Sequence, residues 1–229
     1  MGTYLFKPES ATGNDEPERT WPRTIVFIEG NISAGKSTLL QALKNEGYSV
    51  WAEGVDEITK LVDQSGKNLL ELFYADMPRY AFELQVAYMN NRWKTIKEAL
   101  NADKTNIVFV ERSLMTDHYT FALQLYQDNC ISDLQWKIYK QLLDARVEDA
   151  EWTFDSVREK TIYLRTDPET CMLRTGKRKR GVEVDGVTTT YLQGLHDKLE
   201  EWLVDTNAEV VDGNQEPNKI LQDVLEHLA

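Results

Sequence analysis

FIEGNISAGKSTLL, Phe27–Leu40, is an apolar run that is interrupted by two glycines, a lysine and hydroxyl-bearing side chains. Its spacing is G-x-x-x-x-G-K-S, with Gly30, Gly35, Lys36 and Ser37 at the fixed positions. In this pattern backbone N–H groups cradle phosphates, the lysine reaches the β- and γ-phosphates, and the hydroxyl binds Mg²⁺. The phosphate loop predicted from the pattern consists of Gly30, Asn31, Ile32, Ser33, Ala34, Gly35, Lys36, Ser37 and Thr38.

The segments on either side of this loop have the expected character. Thr24–Glu29 is β-branched and apolar, which indicates a buried strand, and Ser37–Gly47 repeats apolar residues at helical spacing. A strand, a glycine loop and a helix N-terminus together bind an anion with backbone donors and the helix dipole. The context therefore favours a phosphate site over a chance match.

Strand and helix patterns alternate along the rest of the chain. Further strands are predicted at residues 48–53, 106–111, 160–165 and 209–212. The alternation predicts an α/β fold, a five-stranded parallel sheet flanked by helices on both faces. Residues 1–22 are polar and aperiodic and are expected to form a mobile tail, while residues 23–229 are expected to form a single domain.

The composition argues against several classes of protein. A net charge of −12 over 229 residues argues against a nucleic-acid-binding face, although a single nucleotide needs only a local basic cluster. The two cysteines, Cys130 and Cys171, are far apart in sequence and indicate reduced thiols in an intracellular protein. No apolar run approaches the roughly 18 residues of a membrane span, and no signal-peptide pattern is present. The expected compartment is the cytoplasm.

Two glutamates fall at the ends of predicted strands. Glu53 closes the second strand and Glu111 closes the third. Ligands of open parallel sheets bind outside the carboxyl ends of the strands, so both side chains are candidates for the site. A carboxylate can accept a proton from an acceptor hydroxyl, and it is also a hard oxygen ligand for Mg²⁺. The alternative for each is an ordinary solvated charge at a strand end.

A basic cluster, RTGKRKRG at Arg174–Gly181, reverses the charge of this acidic chain locally. Arginines there are suited to closing over a transferring phosphoryl group, where they would stabilise charge and exclude water. Arg174 and Arg178 are four residues apart and would share one face of a helix. The alternative is a solvated basic surface loop.

With these residues placed, the chain resembles the deoxynucleoside kinase family from about Ile25 to Leu203. The motifs that carry the resemblance are EGNISAGKST, AEGVDEI, LFYADMPRYAFELQ, VFVERS, CMLRTGKRKRG and YLQGLHDKLEEWL. Each is weak alone except the phosphate loop, but the set and its order are specific. Some motifs are similar to the deoxyadenosine/deoxyguanosine kinase branch, whereas the ERS motif is similar to the animal branch.

The resemblance implies roles around the phosphate loop. Glu53 corresponds to the base that accepts the proton of the deoxyribose 5′-hydroxyl, and Arg112 to the cation beside that base and the reacting phosphate. Lys36 belongs to the catalytic group, and Glu111 helps to hold Mg²⁺ together with Ser37. ATP is the expected phosphoryl donor.

The resemblance also implies a nucleoside site. Gln85 pairs with the edge of the nucleobase, and Tyr74 contacts the sugar 3′-hydroxyl. Arg92 and Asp117 match the charged pair that reads the base in purine- and deoxycytidine-using members. Tyr88 is one turn from Gln85 and Arg92 and is expected to line the pocket, with plain core as the alternative. The charged pair offers donors and an acceptor together, which favours purine deoxynucleosides, then deoxycytidine, and disfavours thymidine.

Three arginines match those of the family's lid, placed at residues 174–186: Arg174, Arg178 and Arg180. The lid acid that would hold the 3′-hydroxyl is displaced by one inserted residue, so that counting from either side gives Glu183 or Val184. We take Glu183. Two further departures concern the pocket wall: Leu84 replaces the usual aromatic residue before the glutamine, and Gly54 stands where animal members carry proline.

The sequence thus predicts a P-loop kinase fold with an arginine-rich lid and ATP-dependent phosphorylation of deoxynucleosides at the 5′-hydroxyl. The family implies a homodimer. One alternative is a nucleoside monophosphate kinase similar to thymidylate kinase, which would need an additional cationic site for the acceptor's own phosphate. The other is a P-loop switch GTPase, which needs an Asn-Lys-x-Asp guanine reader, whereas Asn218-Lys219-Ile220-Leu221 lacks the aspartate.

Overall fold

One parallel sheet organises the protein. The computed structural model describes residues 23–102, 105–153, 157–178, 187–204, 206 and 208–228. The strands are β1 (Arg23–Glu29), β2 (Ser49–Trp51), β3 (Ile107–Glu111), β4 (Val157–Arg165) and β5 (Glu209–Asp212). They pair in parallel in the order β2-β3-β1-β4-β5, so the predicted five-stranded parallel sheet is confirmed.

Helices connect these strands. They are α1 (Lys36–Asn45), α2 (Val55–Thr59), α3 (Leu69–Ala75), α4 (Met77–Ala102), α5 (Leu114–Thr116), α6 (Leu123–Gln127), α7 (Asp133–Thr153), α8 (Pro168–Arg178), α9 (Thr189–Leu203) and α10 (Pro217–Glu226). A π-helical segment, Asp117–Ala122, joins α5 to α6. Within the described part of the chain, no helix combines the length and the apolar character that crossing a membrane requires.

The side chains of β1 alternate between two apolar clusters. Ile25 and Phe27 pack in the cluster that contains residues of α4 and α7, whereas Val26 and Ile28 pack in the cluster that contains residues of α1 and α10. All four side chains are fully buried. Complete burial of such a side chain stabilises the folded state by about 1.5–3 kcal/mol. Burial on both faces fixes β1 at the centre of the sheet, so its carboxyl end opens directly into the phosphate loop.

The strand β2 is shorter than predicted. It ends at Trp51, which pairs with Val110, whereas the sequence pattern predicted a strand over residues 48–53. Glu53 therefore does not close the strand but lies just beyond it. The backbone N–H of Val55 donates to the carbonyl of Glu53 at 2.9 Å, so the chain turns there instead of continuing along the sheet.

Several predictions from the sequence fall on residues that the structure does not describe. These are the tail at residues 1–22, Arg180 and Glu183. Arg178 is the last residue of α8. Most of the predicted lid therefore lies outside the described residues.

Candidate active site

The phosphate loop is shaped by its glycines. Gly30 has φ 149° and Gly35 has φ 114°, both in the region that favours glycine. A Cβ atom on Gly30 would lie 2.9 Å from the carbonyl oxygen of Leu164, so the approach of β4 leaves no room for a side chain there. Gly35 is the N-cap of α1, and the helix begins at Lys36. The loop thus delivers the backbone to a helix N-terminus, a favourable position for an anion.

Lys36 lies under this loop. Its Nζ atom donates to the carbonyl oxygens of Gly30 at 3.1 Å and Asn31 at 2.7 Å. The nearest carboxylate contact is Glu111 Oε1, at 4.0 Å. Burial, reinforced by the nearby Arg112, lowers the pKa of Lys36 to about 8. The cation is therefore held by backbone dipoles and not by a close ion pair.

Arg174 also donates to backbone carbonyls. Its Nη1 atom is 2.7 Å from the carbonyl oxygen of Ala34, and Nη2 is 3.0 Å from that of Gly213. The next residue, Thr175, donates its hydroxyl to Ser33 Oγ at 2.9 Å. The C-terminal half of α8 thus supports the phosphate loop, and the predicted lid residue Arg174 lies against the loop backbone.

A buried ion network lies on the other side of the site. Arg112 Nη1 is 2.9 Å from both carboxylate oxygens of Glu53, and Arg92 Nη2 is 2.8 Å from Glu53 Oε1. Arg92 also binds Asp117 through two hydrogen bonds of 2.8 Å. Arg92 Nη1 donates to the carbonyl of Glu111 at 3.2 Å. Two carboxylates and two guanidinium groups are thereby locked together.

The network controls the protonation of its members. Burial opposes ionisation of Glu53, but Arg112 and Arg92 outweigh it and lower the pKa of Glu53 to about 2. Burial raises the pKa of Asp117 against the pull of Arg92. For Tyr88, burial and the negative charge of Glu53 raise the phenol pKa well above its usual value. Glu53 is consequently a carboxylate at neutral pH, and Tyr88 a neutral phenol.

A cavity of about 590 Å³ joins the loop to this network. The predicted site residues that line it are Ile32, Ser33, Lys36, Ser37, Glu53, Tyr74, Gln85, Tyr88, Glu111, Arg112 and Asp117. Arg92 lies behind the wall formed by Glu53 and Asp117. Gln85 is only 3% exposed, and within the described residues its Oε1 atom has no hydrogen-bond partner. An unpaired buried amide oxygen at a cavity wall is suited to a polar ligand.

The sequence reading missed several residues of this site. Phe121 and Tyr191 line the cavity, and the Arg112 guanidinium lies 4.7 Å from the Phe121 ring centroid. Both aromatics stand in segments whose pattern resembles ordinary core. A third missed residue, Glu29, did have a recognisable signal in the sequence, because it is an acid at the end of an apolar strand, directly before Gly30.

Glu29 ties the phosphate loop to the turn after β3. Its side chain is fully buried and accepts hydrogen bonds from Thr116 Oγ1 at 2.6 Å and the backbone N–H of Ser113 at 2.8 Å. Between these elements Arg112 takes a left-handed conformation with φ 64°, which aims its side chain towards Glu53. Burial raises the pKa of Glu29 despite the hydrogen bonds it accepts. The same carboxyl group therefore anchors Ser113 and Thr116, which follow Arg112 in the chain.

Comparison with known proteins places the chain in a family. The deoxynucleoside kinase family model matches residues 26–227. The Probable deoxycytidine kinase FPV151 of fowlpox virus (strain NVSL) is 39% identical over 182 residues, which cover 80% of this chain and 72% of the viral protein. Deoxycytidine kinase 1 of Xenopus laevis is 30% identical over 241 residues, which cover 89% of this chain and 90% of that protein.

The fold is also that of a solved relative. A structure of deoxyadenosine kinase from M. mycoides with bound dCTP superimposes with a TM-score of 0.72 at 24% identity, covering 89% of this chain and 98% of that chain. The predicted P-loop kinase fold is thereby confirmed. With the family model and both relatives in agreement, the chain belongs to the deoxynucleoside kinase family, a family of phosphotransferases.

Proposed function

We propose that this protein transfers the γ-phosphoryl group of ATP to the 5′-hydroxyl of a deoxynucleoside. The observation that carries the proposal is that the phosphate-loop residues Lys36 and Ser37 line the same cavity as Glu53 and Arg112. A donor phosphate and an acceptor hydroxyl can meet there without further rearrangement of the sheet. Positioning of this kind supplies much of the rate enhancement in phosphoryl transfer.

Glu53 is proposed as the base and Arg112 as its partner. Arg112 Nη1 contacts both oxygens of Glu53, and Arg112 Nη2 is 3.4 Å from the carbonyl of Gly30 in the phosphate loop. The guanidinium therefore spans from the base to the phosphate site. It can fix the carboxylate beside the acceptor hydroxyl and stabilise charge on the transferring phosphoryl group.

The low pKa of Glu53, about 2, defines what kind of base it is. A carboxylate of such low pKa has little power to remove a proton from a resting hydroxyl. Phosphoryl transfer passes through a loose transition state, with little bond formation to the incoming oxygen. Glu53 therefore acts chiefly by orienting the 5′-hydroxyl, and it receives the proton as the new P–O bond forms.

Ser37 and Glu111 are the proposed protein ligands of Mg²⁺. Both line the cavity, and they contribute one hydroxyl and one carboxylate oxygen. Among the described residues there is no group of three or more His, Cys, Asp and Glu side chains that would enclose a metal. One or two protein oxygens fit Mg²⁺, which otherwise keeps water and substrate phosphates as ligands. When bound, Mg²⁺ supplies positive charge at the donor phosphates.

The base-reading group is proposed to favour purine deoxynucleosides, with deoxycytidine second and thymidine poor. Asp117 at the cavity wall can accept from an exocyclic amine, and two hydrogen bonds from Arg92 fix the orientation of its carboxyl group. Thymine has no exocyclic amine and would offer no donor to that side chain. The Gln85 Oε1 atom, which has no hydrogen-bond partner among the described residues, can accept from the base edge, and Leu84 in place of an aromatic ring leaves more room on that side. Tyr74 is proposed to contact the 3′-hydroxyl.

Deoxycytidine is the second candidate substrate because the two relatives above bear the name deoxycytidine kinase. A panel of nucleosides and nucleoside monophosphates, each incubated with ATP and Mg²⁺, decides among the readings. We expect 5′-monophosphates of deoxyadenosine and deoxyguanosine to form fastest. A protein that phosphorylates thymidine best would overturn the proposed base reading. Phosphorylation of monophosphates alone would favour the thymidylate kinase-like alternative. Turnover of GTP without an acceptor would favour a P-loop switch GTPase.

We also propose a homodimer, a cytoplasmic location and one domain over residues 23–229. An exposed apolar stripe on α7 supports the dimer: Leu134, Ile138 and Leu142 are 68%, 40% and 38% exposed and follow one helix face. Exposed apolar patches commonly mark protein interfaces. Sedimentation velocity should give a dimer for the unaltered protein and a shift towards monomer for Leu134→Glu. A monomer in both cases would exclude the proposed assembly.

A further inference from the structure

Helix α4 contacts the turn that carries Glu53 through two consecutive residues. Asn91 Nδ2 donates to the carbonyl oxygen of Gly54 at 3.1 Å, and Arg92 Nη2 donates to Glu53 Oε1 at 2.8 Å. One helix turn therefore holds the backbone after Glu53 as well as its carboxylate. The Arg92 contact belongs to the ion network, but the Asn91 contact is not explained by it.

The turn itself is an inverse γ-turn. Gly54 has φ −79° and ψ 57°, and the N–H of Val55 donates to the carbonyl of Glu53 at 2.9 Å. Any L-residue can adopt these backbone angles. The glycine at position 54 is therefore not required by the conformation of the turn.

The glycine at position 54 is instead required by the close approach of the Asn91 side chain. A Cβ atom on Gly54 would lie 2.5 Å from Asn91 Nδ2 and 3.2 Å from both Asn91 Cγ and Oδ1. Such a Cβ would push the amide away from the carbonyl to which it donates. The Asn91 amide thus occupies the space that a side chain at position 54 would fill.

The backbone before the turn is held more weakly. The N–H of Glu53 donates to Glu111 Oε2 at 3.3 Å, which is longer than a usual N–H···O hydrogen bond. Arg112 and Arg92 grip only the carboxylate, and a carboxylate can keep its ion pairs while its backbone shifts. The carbonyl of Gly54 accepts from the N–H of Glu57 at 3.0 Å as well as from Asn91, and the Asn91 hydrogen bond is the one that ties the residue after Glu53 to helix α4.

We propose that Asn91 is a positioning residue that places Glu53 through the carbonyl of Gly54. The proposal rests on the proposed role of Glu53 as the base, whereas the packing of Asn91 against Gly54 stands independently. A displacement of about 1 Å at a reacting group can cost about 10²-fold in rate. Loss of the Asn91 amide should therefore reduce turnover and leave nucleoside binding nearly intact.

The test compares three variants: Asn91→Ala, Gly54→Ala and the double variant that combines these two substitutions. Asn90→Ala is the control. Asn90 is the adjacent residue on α4, is exposed, and accepts a hydrogen bond from Arg146 Nη2 at 3.0 Å, away from the turn. We expect kcat to fall about tenfold or more in Asn91→Ala, with an unchanged KM for the nucleoside, because positioning and not binding is lost. Asn90→Ala should match the unaltered protein.

Gly54→Ala should lower kcat by a similar factor because its Cβ displaces the same amide. The double variant should then be no slower than Gly54→Ala alone, since the hydrogen bond can be lost only once. An unchanged kcat in Asn91→Ala, a rise in KM instead of a fall in kcat, or fully additive losses would each overturn the inference.

A parallel measurement separates this inference from the proposed function. If Glu53→Gln abolishes turnover while Asn91→Ala has normal kcat, the positioning role fails and the base assignment survives. If Glu53→Gln has normal kcat, the proposed function of Glu53 fails. In that case, the melting temperatures of the unaltered protein, Asn91→Ala, Gly54→Ala and their double variant still test whether the Asn91 amide packs into the space at Gly54. Additive changes in melting temperature for Gly54→Ala and Asn91→Ala would refute it.

Discussion

The two sides of the cavity hold their cations in different ways. On the phosphate-loop side, Lys36 and Arg174 donate to backbone carbonyls. On the network side, Arg92 and Arg112 are bound at hydrogen-bonding distance to carboxylates, chiefly those of Glu53 and Asp117. Carbonyl dipoles stabilise a cation without cancelling its charge, whereas a close carboxylate largely cancels it.

Because of this difference, the two sides of the cavity are suited to different roles. The loop side retains positive charge that can attract the phosphates of a nucleotide. The network side is close to electrically balanced and instead fixes the positions of its side chains. Removing one member of a buried ion network leaves a charge without compensation, so substitutions there should affect stability as well as activity. Substitutions on the loop side should affect activity almost alone.

The largest effect is expected for Glu53→Gln. The amide keeps the size of the side chain but cannot accept the proton, so kcat should fall about 10²–10⁴-fold. Nucleoside binding, measured by calorimetry, should survive, and the melting temperature should fall because Arg112 loses its carboxylate partner. Glu57→Gln, an exposed carboxylate on α2, is the matched control. A rise in KM without loss of kcat would make Glu53 a binding residue.

Lys36→Ala should be nearly as damaging to activity but not to stability. Loss of a donor aimed at transition-state charge typically costs about 10²–10³-fold in rate. The melting temperature should change little, since the close contacts of Lys36 are to neutral carbonyls. Lys44→Ala, in the exposed last turn of α1, serves as the control. Near-normal turnover would show that Lys36 does not act at the phosphate site. Extensive destabilisation would contradict the proposed difference between the two sides of the cavity.

The pair Arg92→Met and Asp117→Ala tests base selection and stability together. The double variant should shift the ratio of kcat/KM for deoxyadenosine over thymidine about ten- to a hundredfold towards thymidine, as expected from relief of one buried unpaired polar group. Arg92→Met should be less stable than the double variant, because it leaves the buried Asp117 side chain without its cation, whereas in Asp117→Ala the Arg92 guanidinium still contacts Glu53. Urea unfolding of all four proteins measures this. An Arg92→Met variant that matches the unaltered protein in stability would contradict the account of the network.

The smallest effect is expected from acid, and again on the network side. His118 follows Asp117 and stacks on Trp136 with ring centroids 5.2 Å apart. Burial lowers the pKa of His118 from 6.5 to about 4, so the folded state keeps the ring neutral while the unfolded chain takes up a proton. This contribution to stability is complete above pH 6.5 and is lost as the pH falls towards 4.

The unfolding free energy should therefore fall by about 1–3 kcal/mol more between pH 7 and pH 4 in the unaltered protein than in His118→Phe. Urea titrations at a series of pH values provide the measurement. Equal pH dependence of the two proteins would show that the ring is protonated in the folded state.

The fold was readable from the sequence because its signals are local. The glycine spacing, the β-branched strand before it and the helix after it all lie within Thr24–Gly47. The end of β2 was not readable, because the pattern at residues 48–53 stays compatible with a strand. The chain leaves the sheet there through a γ-turn and a contact with α4, and that contact joins residues 37 positions apart.

The site was readable as a set of residues but not as a set of contacts. Glu53, Gln85 and Asp117 were identified as candidates, and the structure brings them to one cavity. Arg92 was expected to face the base, yet it lies behind that wall, and Arg174 was expected over the phosphates, yet it supports the loop backbone. Sequence spacing determines which face of a helix a cation occupies. Its partner is decided by tertiary packing, which the spacing does not contain.

The π-helical segment Asp117–Ala122 has a consequence for how the gene can change length. A π-helix accommodates one residue more than the α-helix that would join the same two ends. Deleting a single residue from this segment would therefore leave α5 and α6 joined by an ordinary helix and preserve the path of the chain. It would also turn Asp117 and Phe121, which both line the cavity, relative to one another. This short segment is thus a place where a one-codon deletion would spare the scaffold and reshape the nucleoside pocket.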